Sequence, residues 1–129
     1  MTTLVLLTGL ALRLGSGQAL AQAAPASQKI EIVSVTGCLK EVAPNTWTLT
    51  RATDPVPSSA NAPAAKEIPA TPPDGTNAFT LIGVSQFNLP AHRNHTVLIK
   101  GLFIKATPMS RVNMTSVTMV SSSCLPAAK

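Results

Sequence analysis

The sequence predicts an all-β fold, a small five-stranded closed barrel, and three observations predict it. Five runs of β-branched and aliphatic residues are set apart by Pro, Gly and Asn turn signals. Eleven prolines and seven glycines spread through 129 residues argue against a helical protein. The one segment with helical-turn character falls between the third and fourth runs.

The first run, Ile30 to Leu39, is β-branched and bounded by polar residues. Its apolar phase slips by one residue between Ile32 and Val33, which together with Gly37 predicts a bulge or bend. Pro44-Asn45 marks a turn. Thr46 to Arg51 alternates cleanly, with Trp47 and Leu49 inward and the threonines outward, so the first two strands form a hairpin. Residues 53–78 hold six of the prolines and no anchor except Ile68, which predicts a mobile surface loop without a packed element. Phe79 to Val84 is the third strand. Ser85 to Asn94 carries Phe87 and Leu89 on a helical link that Pro90 keeps short. Thr96 to Lys105 is the fourth strand, apolar on both faces with Gly101 midway, and Thr107-Pro108 begins the next turn. Val112 to Ser121 is the last strand, with a second phase slip between Met114 and Val117. Three strands, a short helical link and two more strands is the order of an OB-like barrel; a small open sandwich is the alternative. Closure protects strand edges, and a chain with only 12% charged residues has few other means of doing so.

The N-terminus reads as an export signal. An apolar stretch from Leu4 to Leu14 leads into small residues ending Ala21-Gln22-Ala23, which predicts cleavage after Ala23. The stretch is about 11 residues long, too short for a membrane span of roughly 20. The organisation is then a signal peptide at 1–23, a tail at 24–29, the β domain at 30–124 and a C-terminal tail at 125–129. In an exported chain the two cysteines, Cys38 and Cys124, read as one disulfide joining the first strand to the C-terminus. Val35-Thr36-Gly37-Cys38 imitates a lipoprotein box, but it follows the polar residues Gln28 to Glu31 rather than an apolar core.

Val35-Thr36-Gly37-Cys38-Leu39 at the opening, Trp47-Thr48-Leu49, Phe79-Thr80-Leu81-Ile82-Gly83, a central Leu89 with His92-Arg93-Asn94-His95 and Val97 to Gly101, and the closing Cys124 form a pattern. It resembles small secreted bacterial domains of OB-fold-like type and unknown function. The resemblance implies the fold and export, and carries no activity. Asn94 stands where those domains usually have Gly, and Asn also tolerates the positive φ such a turn needs.

Little in the chain points to catalysis. His92 and His95 form an H-x-x-H pair, a weak candidate metal site, because zinc chemistry needs a third ligand and no carboxylate lies nearby. The five carboxylates, Glu31, Glu41, Asp54, Glu67 and Asp74, show no close pairing for acid/base work. No cofactor motif is present. Lys100, Lys105, Arg93 and Arg111 are the candidates for a basic patch, but nucleic-acid binding also wants stacking aromatics, and Trp47 and three Phe are mostly required by the core. The net charge of +5 falls to +4 without the signal and is dispersed. The expected role is a non-catalytic secreted or periplasmic binding or accessory domain. Its partner is an unspecified envelope or extracellular ligand or protein, not nucleic acid, and no membrane span is left after cleavage. A second role is protein–protein interaction or dimerisation through Leu98, Leu102 and Ile104, the second apolar set of the fourth strand. If that set lies instead under the helical link or the Pro-rich loop, it is structural.

Overall fold

Alternation places Val33, Val35 and Leu39, Trp47 and Leu49, Phe79 and Leu81, Val97 and Ile99, and Val112 and Met114 in one buried cluster, which Leu89 joins and against which Phe87, Phe103 and Val117 pack. The strands that supply it, in a computed structural model describing residues 31–124, are β1 Ile32–Ala43, β2 Thr46–Ala52, β3 Val56–Pro57, β4 Asn77–Ile82, β5 Thr96–Ile104 and β6 Arg111–Ser121. The signal segment and both tails lie outside the described residues. The described residues are thus mostly β, a single sheet of six strands. Its ladders join β1 to β2, β2 to β4, β6 to β5 and β5 back to β1 in antiparallel pairs. β4 joins β6 through a short parallel pairing, Thr80 to Ile82 against Arg111 to Asn113. Phe79 and Phe103 meet edge to face inside, their centroids 5.9 Å apart.

The link between β4 and β5 consists of two 3-10 turns, Val84–Gln86 and Leu89–His92, with Pro90 at the start of the second. It is fastened at its far end to β1, where Leu39 N–H donates to the His95 carbonyl and Asn94 N–H to the Leu39 carbonyl, each at 2.9 Å. Asn94 takes φ 63°, the left-handed conformation.

Three expectations are corrected. Residues 53–78, expected to hold no regular element, contain β3 and a 3-10 turn at Ala65–Glu67. The reason lies in β1, which leaves β2 at Cys38 while staying on β5 as far as Ile32. Its vacated edge takes Val56 and Pro57 as partners, and Ser58 N–H donates to the Ile32 carbonyl at 2.8 Å. An edge strand tolerates the proline, whose missing N–H would face outward. Next, the slip at Ile32/Val33 is not a bulge, for the β1–β5 register runs unbroken from Ile32 to Cys38. Gly37 serves packing instead: a Cβ there would lie 2.7 Å from the Thr50 carbonyl oxygen and 2.9 Å from Leu49 Cγ. Finally, five strands become six. The slip in β6 does break the register, since Met114 faces Gly101 and Ser116 faces Lys100 with Thr115 between.

Cys38 and Cys124 are bonded, with Cα atoms 5.2 Å apart. A paired Cys38 on a hydrogen-bonded strand is not an acylated N-terminal residue. Among the described residues no helix is long and apolar enough to cross a membrane.

Candidate functional site

Strand alternation sends Thr46, Thr48 and Thr50 of β2 to the side opposite the core, beside Ala78, Thr80 and Ile82 of β4. These side chains floor a groove of about 740 Å³, walled by Val42 at the end of β1, by residues 106–109 of the β5–β6 turn and by Arg111. Val42 and Met109 are among the exposed large hydrophobic residues, at 60% and 37%. Thr80 Oγ1 donates to Met109 Sδ at 3.3 Å, which holds the methionine over the groove. The lining therefore offers methyl groups, a row of hydroxyls and a single cation, and no aromatic ring. The T-x-T-x-T repeat of β2 was the available signal for this face; the walls come from two distant turns and could not be read from spacing.

A second space, of about 500 Å³, lies between the outer faces of β1 and β5 and segment 53–78. Ser34, Thr36 and Leu98 face it from the sheet; Ser58, Glu67 and Pro73 are among those facing it from the segment. Beside it lies Lys100, which is fully buried. Its Nζ donates to Ser58 Oγ at 2.7 Å and pairs with Glu67 Oε2 at 2.5 Å, the Glu67 side chain being 38% exposed. The Glu67 carboxyl is held below its ordinary value, first by the hydrogen bond from Lys100, then by the Lys100 charge, a backbone hydrogen bond at Ala64 and the Lys66 charge, against an opposing effect of burial. A lone charge in an apolar run was visible in the sequence, but its partner stands 33 residues away in a segment read as featureless.

His92 and His95 do come together, with ring centroids 5.8 Å apart and edge to face. Both Nδ1 atoms are buried without a hydrogen-bond partner. Among the described residues no group of three or more His, Cys, Asp or Glu is placed to hold a metal. The four basic candidates do not make one patch. Lys100 is enclosed, and Arg93 pairs with Glu41 at 2.7 Å while its guanidinium lies 5.8 Å from the buried Trp47 ring. Of the three candidate interface residues, Leu98 is buried outside the core cluster, beneath segment 53–78, so it is not on the surface. Leu102 and Ile104 are half-buried. No family model, curated protein or solved structure matches the chain.

Proposed function

We propose that the chain is an exported, non-catalytic binding domain of OB-like barrel form, acting in the periplasm or outside the cell. In this reading the outer face of β2 and β4 holds an uncharged ligand with an apolar body. The groove over that face, floored by threonines and overhung by Met109, carries the reading. The ring of ladders from β1 through β2, β4, β6 and β5 back to β1 supports the barrel, and the two 3-10 turns stand where an OB fold has its link. In that architecture the face of the second and third strands of the ring, flanked by the turn before the last, is the binding face. The disulfide supports an oxidising compartment. The lining supports this choice of ligand class. With one cation and no aromatic side chain, it lacks the stacking platform that single-stranded nucleic acid requires. Threonine methyls with Val42, Ile82 and Met109 suit aliphatic surface, and the hydroxyls give orientation.

Amide shift mapping tests this with three compounds: octyl glucoside, cellotriose and a deoxythymidine oligonucleotide. The amphiphile is expected to move Thr48, Thr80, Ile82 and Ala106 in saturable fashion, and the other two to leave them in place. Met109→Lys is expected to weaken the amphiphile by about tenfold, the equivalent of roughly 1.4 kcal/mol of lost apolar contact. Shifts scattered over the surface, or oligonucleotide binding, would remove the reading.

A further inference from the structure

We infer that segment 53–78 is a strap latched across the sheet by Lys100 and Glu67, and that acid releases it to uncover Lys100 and Leu98. The inference concerns the face opposite β2 and β4 and stands apart from the groove.

Among the described residues every partner of the Lys100 ammonium belongs to the strap: the Ser58 hydroxyl and the Glu67 carboxylate. The sheet offers no countercharge. Directly opposite Lys100 are Ser34 on β1 and Ser116 on β6, and the Ser116 hydroxyl is buried with no hydrogen-bond partner. Other charged groups on the packed elements are elsewhere. Lys40 and Glu41 lie at the far end of β1, and Lys105 and Arg111 at the far turn of β5 and β6. Glu31 precedes β1, where its carbonyl accepts from the Phe103 amide. Within the strap, Asp54 accepts from Asn77 and Asp74 pairs with Arg51 at the base, while Lys66 adjoins Glu67. Among the described residues the charge that balances Lys100 is therefore Glu67.

Protonating Glu67 leaves an ammonium in a site of zero exposure with only a hydroxyl for company, which is strongly unfavourable for a buried cation. The remedy for such an ammonium is hydration. The strap is the part able to yield. Near the latch it is fixed by two residues of β3, by Ser58 N–H on the Ile32 carbonyl and by Thr115 Oγ1 donating to the Asn61 carbonyl at 2.8 Å. Much of its underside faces the 500 Å³ space rather than packed side chains. Elements with few buried contacts open first. The direction with pH follows from the carboxyl. Its folded-state value lies below the ordinary 4.5, so the latch is fully made above that value and is lost as pH falls through the folded-state value.

Amide exchange on the disulfide-bonded chain tests the latch, with rates corrected for intrinsic chemistry at pH 7 and pH 3. Ser58 and Ile68 report the strap; Leu39 and Ile99 report the sheet. The strap amides are expected to lose about tenfold or more of their protection at the lower pH while the sheet amides keep theirs. Glu67→Gln is expected to show the open strap already at pH 7. Lys100→Met, which leaves no buried charge, is expected to keep the strap closed at both pH values. A strap equally protected at both pH values in the parent chain, a Glu67→Gln strap that stays closed, or a Lys100→Met strap that still opens in acid would overturn the inference.

Discussion

At Gly37 the two halves of the first hairpin come so close that a methyl group would press on the Thr50 carbonyl oxygen, Leu49 Cγ and Ala52 Cα, the last at 3.0 Å. Two of the three contacts are backbone, which cannot turn aside as a side-chain tip does. Gly37→Ala is expected to lose about 1–3 kcal/mol, read as a fall in Tm of roughly 4–8 °C per kcal/mol. The residue was legible as a special position but not for its reason, because the crowding comes from β2 and exists only after the strands meet. Asn94 was legible in both respects. Its φ of 63° is open to Gly and Asn and penalised for a β-branched residue. Asn94→Gly is expected to lie within about 0.5 kcal/mol of the parent, less the loss of the Lys40 contact to Oδ1, and Asn94→Val to cost roughly 1–2 kcal/mol by urea denaturation. Lys100 lies between these cases. A charge amid apolar neighbours announces an exception, yet nothing near it in sequence names Glu67.

The five longer strands were legible because each is a run of β-branched and aliphatic residues bounded by turn signals. β3 was not, and the cause is physical. Two residues, Val56 and Pro57, carry no period, and Pro57 carries no N–H. The strand exists because β1 has an unpaired edge to cover at Val33 and Ser34, a fact of pairing rather than of local propensity. The disulfide also acts between elements, tying β1 to the segment that follows β6 across a separation of 86 residues. In the chain-entropy account, closing a loop of that length restricts the unfolded chain by on the order of 4–5 kcal/mol. The double variant Cys38→Ser with Cys124→Ser is expected to lose a large part of this stability in urea, with a steeper denaturant slope because the unlinked unfolded chain exposes more surface. Adding reductant to the parent chain is expected to reproduce the loss and to leave the variant unaffected.

Around the whole molecule the ladders are unequal, and the inequality joins stability to the proposed site. β5 and β6 share nine residue pairs, whereas β4 and β6 meet in parallel through three. Parallel pairing is slightly weaker per residue, so the β4–β6 seam is the first place for the ring to part. Amides at the seam, Thr80 on the Ser110 carbonyl at 3.0 Å among them, are expected to exchange through a smaller opening than Ile99 in the middle of β5. The groove lies across this seam: Thr80 and Ile82 on one bank, Arg111 on the other. A ligand lodged there contacts both sides and binds the closed seam in preference to the parted one. It must therefore add to the cost of opening, by about 2.7 kcal/mol when present at a hundred times its Kd. Protection at Thr80 and Val112 should rise in proportion, with Ser58 and Ile68 in the strap unmoved. An amphiphile that bound elsewhere on the sheet would leave the seam as it was, so the same exchange measurement distinguishes occupancy of the groove from adsorption to any other apolar surface.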